Sequence, residues 1–303
     1  MLRRTLTIAA AMMAGLVLPA LAQDTTYPLT THDMIGREVT IPAMPQRIVT
    51  TSPSAIELLY AAGGTAIGRS TTATGVPDAE TITDIGGAYN PNFEAILQLM
   101  PDLVIADASA QPQLAGAFET QLAGVPTVYV GATRYADIPA SIRLLGQIVN
   151  TEDVAEAAAA DAEAVADEVA QQVAGEAPVS TLIVVAGRDG SLSVALPDSF
   201  IGDLVRIAGG ANVAADVPQS GQVPGFAVVS PETIVQTNPD VILVIVPGQT
   251  GGVSIGQMIS GMFPSLTAVQ NGKVYEVDLE TFLQNPGPRA IQGLRDLATL
   301  LHQ

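Results

Sequence analysis

Two stretches of the chain repeat one another, and this repeat decides the fold. Residues 94–105 read Glu-Ala-Ile-Leu-Gln-Leu-Met-Pro-Asp-Leu-Val-Ile, and residues 232–243 read Glu-Thr-Ile-Val-Gln-Thr-Asn-Pro-Asp-Val-Ile-Leu. Each copy lies downstream of a helical segment that ends in Gly-Gly and upstream of a Val-Tyr strand. A Pro-Asp pair before a strand is by itself common turn chemistry. Three landmarks in the same order nevertheless predict two similar lobes.

Short apolar strands alternate with helical segments along both copies. Residues 54–62 have helical periodicity and stop at Gly63 and Gly64, a common signal for the C-terminus of a helix. Buried strands are predicted at residues 47–50, 103–106, 127–130, 181–186, 241–246 and 273–277. Such alternation is typical of α/β proteins, so we expect two Rossmann-like lobes with central, mainly parallel sheets.

A stretch of different composition separates the two lobes. Residues 151–173 are rich in Ala, Glu, Asp and Gln and contain neither Gly nor Pro, which predicts one long helix. The expected organisation is a signal peptide at residues 1–22, an N-terminal lobe at 23–150, a connecting backbone helix at 151–177 and a C-terminal lobe at 178–303. Two lobes joined in this way leave a cleft between them, where small-molecule sites tend to form.

The composition excludes several classes of function. The 303 residues include 12 basic and 30 acidic side chains, for a formal net charge of −18. Such a field repels phosphate backbones, so we expect no nucleic-acid partner. The chain has no cysteine and only two histidines, His32 and His302. Thiolate chemistry is therefore excluded, and we expect neither a resident metal site nor a cofactor.

The first residues have the pattern of a secretory signal. Arg3 and Arg4 precede an uncharged apolar stretch at residues 6–18, and residues 19–22 end in a small-x-small cleavage pattern. The alternative is a membrane anchor, but the apolar stretch is shorter than the roughly 20 residues that span a bilayer. We therefore expect cleavage before Gln23 and a soluble protein in the periplasm.

Around the internal repeat and its flanking segments, the chain resembles a known family. This family comprises the substrate-binding proteins of ABC importers for iron chelates, haem and cobalamin. The similar stretches lie at residues 47–57, 84–94, 101–104, 200–212, 230–240 and 272–275. The resemblance implies two lobes joined by a single backbone helix and a function without catalysis. It also implies delivery of a small-molecule metal chelate to a permease dimer with its ATPase in the inner membrane.

The resemblance gives the two repeated glutamates a role. In this family an exposed glutamate on each lobe docks onto arginine pockets of the permease, and the matching positions here are Glu94 and Glu232. A structural role is compatible with docking, because a carboxylate in the first turn of a helix also complements the helix dipole. Ser230 and Pro231 form a cap and first-turn signature before the second glutamate.

The resemblance also implies which residues face the ligand. In the N-terminal lobe these are Ser52, Pro53, Tyr89, Asn90, Ser109, Ala110 and Gln111. In the C-terminal lobe they are Arg188, Phe282 and Gln284, with Arg69 of the first lobe as a weaker candidate. Tyr89 could ligate ferric iron or donate a hydrogen bond, or it could be a half-buried turn tyrosine. Arg188 could pair with an anionic chelate or be solvated.

The identity of the ligand stays open between three chelates. Cobalamin receptors of this family often cover the corrin with tryptophan, and the chain has none. The tyrosine or histidine ligands of haem receptors have no certain match here. The resemblance therefore favours a ferric siderophore, with haem next and cobalamin as the alternative.

A second class of function has its own motif. Residues 252–256 match the G-x-S-x-G nucleophile pattern around Ser254, and Asp278 and His302 follow in hydrolase order. The strand predicted before the motif ends near residue 246, however, and a loop intervenes where the nucleophile turn requires a strand that runs directly into the serine. We therefore expect a binding protein and keep the secreted serine hydrolase as the alternative.

Overall fold

The structure is a computed structural model. It describes residues 25–77, 79–109, 111–186, 191–220, 224–246, 254–284 and 286–303. The predicted signal peptide at residues 1–22 lies outside the described residues. In the part of the chain that is described, none of the helices combines the length and the apolar character that crossing a bilayer requires.

The N-terminal lobe is built on one parallel sheet. Its elements are β1 (Leu29–His32), β2 (Glu38–Ile41), β3 (Ile48–Thr50), α1 (Pro53–Ala61), β4 (Gly68–Arg69), β5 (Thr83–Asp84), β6 (Gly86–Gly87), β7 (Asn90–Pro91), α2 (Phe93–Gln98), β8 (Leu103–Asp107), α3 (Ala115–Gln121), β9 (Thr127–Val130) and α4 (Asp137–Val149). The five-stranded sheet has the order β5-β4-β3-β8-β9, and every neighbouring pair in it is parallel. Strands β1 and β2 form a separate antiparallel pair, and so do β6 and β7.

The C-terminal lobe follows a connecting helix. The elements are α5 (Glu152–Gln172), β10 (Val179–Ala186), β11 (Leu192–Ala195), α6 (Phe200–Ile207), β12 (Gly210–Asn212), β13 (Phe226–Val228), α7 (Pro231–Thr237), β14 (Val241–Val246), α8 (Ile255–Met262), α9 (Thr267–Gln270), β15 (Val274–Asp278), a π-helical turn (Glu280–Gln284) and α10 (Arg289–Leu301). The sheet order is β13-β11-β10-β14-β15, with β12 also paired to β10. Pairs β10–β14, β14–β15 and β10–β12 are parallel, whereas β11 is antiparallel to both β10 and β13.

The buried strands explain the alternation seen in the sequence. All five residues of β8 are buried, and so are the first five of β14. Parallel strands covered by helices on both faces have this continuous apolar pattern, because neither face of the sheet reaches water. The predicted α/β fold with two lobes and mainly parallel sheets is confirmed.

Helix α5 lies against both lobes along its length. Asn150 has a left-handed backbone conformation (φ 57°) and ends α4 just before α5 begins. The two helices then pack so closely that a Cβ on Gly146 would lie 2.2 Å from the Cβ of Ala155. Arg143 of α4 pairs with Glu156 of α5, and Arg295 of α10 pairs with Glu168 of α5. The connection between the lobes is therefore a packed helix.

Candidate functional site

A cleft of about 450 Å³ lies between the lobes. That volume is within the roughly 300–1,000 Å³ typical of small-molecule sites. The N-terminal lobe contributes Tyr89, Ser109, Ala132 and Thr133, and the C-terminal lobe contributes Asp198, Ser199, Phe200, Ile201, Gln219, Pro224, Gly225, Phe226, Phe282, Leu283 and Pro286. A smaller cavity of about 340 Å³ is lined by residues of the C-terminal lobe alone. Because both lobes line the first cleft, we take it as the candidate site.

Three residues expected to face the ligand line this cleft: Tyr89, Ser109 and Phe282. Tyr89 stands at the turn between β6 and β7, and 68% of its surface is exposed. Gly86 of this hairpin has a positive φ of 91°, and a Cβ added there would lie 3.1 Å from the Asn90 carbonyl oxygen, so the turn has no room for a side chain at this position. Desolvation, and next the Asp107 carboxylate, raise the pKa of the Tyr89 phenol. The phenol is therefore a hydrogen-bond donor at neutral pH.

Ser109 is held by a carboxylate at the end of β8. Asp107 Oδ1 accepts hydrogen bonds from the Ser109 backbone N–H (2.7 Å) and from Ser109 Oγ (2.6 Å). Its Oδ2 accepts from Ser52 Oγ at 3.2 Å and from the Ser54 hydroxyl. The buried carboxylate is thus surrounded by donors and fixes the loop that reaches the cleft. Asp107 was not among the residues predicted from the sequence, because an aspartate that ends a strand is common at turns.

Gln111 and Ser52 lie behind the cleft wall. The Gln111 side chain is fully buried, and its Oε1 accepts from the Asp107 N–H (2.8 Å) and from Thr51 Oγ1 (2.7 Å). Its Nε2 donates to the carbonyl oxygens of Thr51 and Ala88. Ser52 is 2% exposed, and its Oγ caps α1 by accepting from the Ala55 N–H at 3.1 Å. These side chains join β3, β8 and the Tyr89 turn.

The remaining sequence candidates have other positions. Pro53 is buried in the first turn of α1, and Asn90 is exposed on β7; neither lines the cleft. Arg69 donates to the carbonyl oxygens of Ala79 (2.6 Å) and Ser70 (2.9 Å), which is a structural role in the N-terminal lobe. Arg188 and Ala110 lie outside the described residues, and for Gln284 the structure describes the backbone of the π-helical turn alone.

An aromatic wall lines the C-terminal side, and of its three phenylalanines only Phe282 was predicted from the sequence. Phe200 and Phe226 are each 8% exposed and Phe282 is 6% exposed, and all three border the cleft. Ser199 caps α6 by accepting from the Gly202 N–H at 3.1 Å, which places Phe200 in the first turn. The cap signature could have located Phe200. Phe226 lies on β13, whose pairing with β11 has no local signal in the sequence.

Between described residues, hydrogen bonds and one ion pair connect the lobes beside the cleft. The Tyr135 N–H donates to Asp203 Oδ2 at 2.9 Å. Arg289 Nη2 lies 2.7 Å from Glu57 Oε1, and it donates to the Thr74 carbonyl oxygen at 3.0 Å. Tyr135, Glu57 and Thr74 belong to the N-terminal lobe, whereas their partners belong to the C-terminal lobe. These contacts define the width of the cleft in this structure.

The three side chains of the hydrolase alternative each have another partner. Ser254 Oγ donates to Glu276 Oε1 (2.6 Å) and caps α8. Asp278 Oδ2 accepts from the N–H and hydroxyl of Thr281, both at 2.8 Å. His302 Nε2 lies 3.0 Å from the Ala208 carbonyl oxygen. Each residue therefore serves the local fold, and the three do not form a nucleophile–base–acid chain.

The two repeated glutamates are exposed on equivalent helices. Glu94 lies in the first turn of α2, which Asn92 caps, and Glu232 lies in the first turn of α7, which Ser230 caps. Hydrogen bonds from its own backbone N–H and from Ser230 lower the pKa of Glu232. One turn further on, Leu97 and Val235 are 46% and 45% exposed. Each lobe thus presents a carboxylate next to an apolar side chain.

Comparison with known proteins identifies relatives of this two-lobed molecule. A family model described as "Periplasmic binding protein" matches residues 48–281. An uncharacterized ABC transporter substrate-binding lipoprotein of Bacillus subtilis, YvrC, is 28% identical, and the alignment covers 98% of this chain and 95% of YvrC. A cobalamin-binding protein of Halobacterium salinarum is 27% identical over 91% of this chain and 75% of its own length.

A solved structure agrees with these relatives. The periplasmic haem-binding protein RhuT of Roseiflexus superposes with a TM-score of 0.69 at 27% identity, covering 85% of this chain and 98% of RhuT. The relatives are periplasmic or lipoprotein substrate-binding proteins, which indicates an extracytoplasmic location. The family is one of transporter receptors and not of enzymes. The chain therefore belongs to the periplasmic binding protein family and is the substrate-binding component of an ABC importer.

Proposed function

We propose that the chain binds an iron chelate, a ferric siderophore or else haem, in the interlobe cleft and delivers it to a permease dimer with its ATPase. The observation that carries the proposal is the composition of the cleft. Tyr89 of one lobe and three phenylalanines of the other, Phe200, Phe226 and Phe282, border the same space. Aromatic side chains bury large apolar area, and Tyr adds a polar group that orients a ligand.

Tyr89 is the residue we propose to contact the chelate most directly. It projects from the N-terminal lobe and is largely exposed in this structure. Because the pKa of its phenol is raised, a hydrogen bond to a chelate oxygen is the contact that needs no loss of a proton. Ligation of ferric iron through the phenolate would require the metal to displace that proton.

Ser52, Pro53 and Gln111 have a supporting role in this proposal. The buried Gln111 amide ties the Tyr89 turn to the Asp107 loop through the Ala88 carbonyl oxygen. A shift of that amide would move Tyr89 and Ser109 together. Asn90, Arg188 and Gln284 remain predicted ligand contacts from the resemblance.

We further propose that Glu94 and Glu232 dock the receptor onto the permease. They occupy matching positions in the repeat, are exposed, and each lies on a helix of a different lobe. Two such carboxylates fit a two-fold partner with a basic pocket on each half. The Glu94→Arg/Glu232→Arg double variant should abolish uptake in cells, while ligand binding by the purified protein stays unchanged. Unaltered transport would contradict the docking role.

Cobalamin is the second candidate ligand. The observation in its favour is the Halobacterium relative, which is named a cobalamin-binding protein and aligns with 91% of this chain. The apolar faces of a corrin suit an aromatic wall as well as the organic rim of a siderophore does. The two candidates share the cleft and differ in the chromophore that would occupy it.

The absorption spectra of the candidate ligands distinguish them directly. Residues 23–303 are purified and mixed in turn with haem, a ferric hydroxamate siderophore, a ferric catecholate siderophore and cobalamin, and each mixture is run on gel filtration with full-spectrum detection. Co-elution of one chromophore identifies the ligand class. The Tyr89→Phe variant tests ligation, because loss of a phenolate-to-iron absorption band would make Tyr89 a metal ligand. Failure of all four chromophores to co-elute would contradict the proposed function.

We also propose that the chain reaches the periplasm through cleavage of its signal peptide. The support is the pattern at residues 1–22 together with the periplasmic or lipoprotein character of the relatives. Cell fractionation followed by N-terminal sequencing should find the protein in the periplasmic fraction beginning at Gln23. A protein that keeps its first residues and sediments with membranes would contradict cleavage.

A further inference from the structure

The charge of the cleft wall is uneven. Among the described residues that line the cleft, Asp198 is the one that carries a full charge. The others are aromatic, aliphatic or neutral polar residues such as Ser109, Thr133 and Gln219. In the described part of the cleft, a ligand that enters therefore meets apolar walls and one carboxylate.

The Asp198 carboxylate lies at the cleft and has no hydrogen-bond or ion-pair partner among the described residues. Asp198 is exposed in the connection between β11 and α6. Among the hydrogen bonds and ion pairs between described residues, none employs its carboxylate, in contrast to Asp107 and Asp203, which accept bonds that hold the fold together. Within the described part of the chain this carboxylate therefore has no structural task, and its charge acts on a ligand in the cleft.

One feature of the same wall has the opposite sign. Helix α6 begins at Phe200 and directs its N-terminus at the cleft, where a helix dipole is equivalent to about half a positive charge. The positive end of this dipole is partly compensated, because Ser199 Oγ already accepts a hydrogen bond from the Gly202 N–H. The full negative charge of Asp198 exceeds it. The formal net charge of −18 on the chain adds to the same sign.

We propose that Asp198 selects the ligand by charge, so that the cleft takes a neutral or positively charged metal chelate with an apolar face. A neutral or cationic ferric trishydroxamate, or a corrinoid, has this chemistry. Anionic chelates, such as haem with its propionates or a ferric triscatecholate, are disfavoured. This inference rests on the proposed function and narrows its substrate class.

The test holds the chelate constant and changes its charge. Ferrioxamine B is positive, its N-acetyl derivative is neutral and its N-succinyl derivative is negative, while the ferric trishydroxamate core is the same in all three. Aquacobalamin, cyanocobalamin and a cyanocobalamin monocarboxylate give the same series on a corrinoid. Dissociation constants are measured by spectroscopic titration for the wild type, for Asp198→Asn and for Asp216→Asn. Asp216 is the matched control, since it is exposed in the same lobe and does not line the cleft.

In whichever ligand series binds, ferrioxamine or corrinoid, the wild-type protein should bind the positive or neutral form more tightly than the negative form. For charges several ångströms apart at an open cleft, Coulomb's law gives about fivefold in affinity per unit of ligand charge. Asp198→Asn should remove most of this preference, Asp216→Asn should leave it, and added salt should reduce it in the wild type.

Two results would overturn the inference while leaving the proposed function intact. One is a charge preference that is the same in Asp198→Asn and the wild type. The other is a preference for the negative derivatives that Arg188→Gln abolishes, which would show that Arg188 and not Asp198 sets the charge of the site. If no ferric chelate, haem or corrinoid binds, the proposed function itself fails, and the charge inference fails with it.

Discussion

Replacing Arg289 with methionine should weaken the contact between the two lobes and lower the stability of the protein. Arg289 begins α10, and its guanidinium lies 2.7 Å from Glu57 of α1 and 3.3 Å from Glu280. The distance to Glu57 is that of an ion pair, although among the described residues neither oxygen of the Glu57 carboxylate has a partner in hydrogen-bonding geometry. The attraction between Arg289 and Glu57 is therefore mainly Coulombic. Methionine keeps the aliphatic part of the side chain while removing the charged guanidinium, together with its hydrogen bond to the Thr74 carbonyl oxygen.

The size of the effect follows from burial. Breaking a fully buried ion pair by removing one partner costs about 3–5 kcal/mol, since it leaves an uncompensated charge. The side chain of Glu57 is 9% exposed but that of Arg289 is 31% exposed, so solvent screens part of the loss. We expect Arg289→Met to cost about 2 kcal/mol at neutral pH, a fall in Tm of about 5 °C.

The effect should depend on pH. Burial raises the pKa of Glu57 above its ordinary value of 4.5, Arg289 opposes this increase, and Glu280 adds to it. The folded protein thus holds a proton on Glu57 more tightly than the unfolded chain does. The stability that this proton contributes is full below pH 4.5 and is lost as pH rises through the raised pKa. Because a protonated Glu57 needs no partner, Arg289→Met should be mild in acid and costly at neutral pH.

Calorimetry on a small set of variants tests this reasoning. Glu57→Gln should recover most of the stability lost in Arg289→Met at neutral pH, since the double variant buries no unpaired charge. Arg295→Met is the matched control: Arg295 lies on the same helix and pairs with Glu168, but both side chains are 41% or more exposed, so its loss should cost at most about 1 kcal/mol. Equal losses for Arg289→Met and Arg295→Met, or no recovery with Glu57→Gln, would refute the argument.

Three further outcomes are expected. Gln111→Ala should lower the free energy of unfolding in guanidinium by about 2–4 kcal/mol, because it leaves the buried groups that bond the amide without a hydrogen-bond partner. Gln121 is exposed, so Gln121→Ala should leave the free energy of unfolding unchanged within error. Gly202→Ala should lower the free energy of unfolding by about 2 kcal/mol or more, because the added Cβ would lie 2.3 Å from the Leu196 carbonyl oxygen. Gly116→Ala in α3 should instead stabilise the protein slightly, because no atom lies within 4 Å of the added Cβ. X-ray scattering with and without bound chelate should show little compaction, since α5 packs on both lobes; a large decrease in radius of gyration would contradict this rigidity.

The features predicted from the sequence are those with local signals. Gly63 with a positive φ of 83° ends α1 as the Gly-Gly signal predicts, and Ser230 caps α7 as the Ser-Pro signature predicts. Strand positions follow from runs of apolar residues, because a strand buried on both faces leaves no room for polar ones. The repeat then places equivalent elements in equivalent lobes, which accounts for the correct fold class.

The features that were not predicted depend on long-range pairing. Gln111 was expected at the cleft and instead lies behind its wall, because β3, β8 and the Tyr89 turn converge on its amide. Its burial results from the packing of these three segments, and the residues next to Gln111 in the sequence give no signal of it. The antiparallel pairing of β11 with β13, which brings Phe226 to the cleft beside Phe200, is likewise set by tertiary contacts.

The way in which the two lobes differ supports the division of labour proposed for them. The repeat is strongest around Glu94 and Glu232, at the exposed helices proposed to meet the permease. It is lost at the cleft, where one lobe offers Tyr89 and a hydroxyl loop and the other offers aromatic rings. A two-fold partner places the same requirement on both lobes, whereas an asymmetric chelate places a different requirement on each. Similarity between the lobes at one surface and difference between them at the other are what a two-lobed receptor needs if it docks symmetrically and binds asymmetrically.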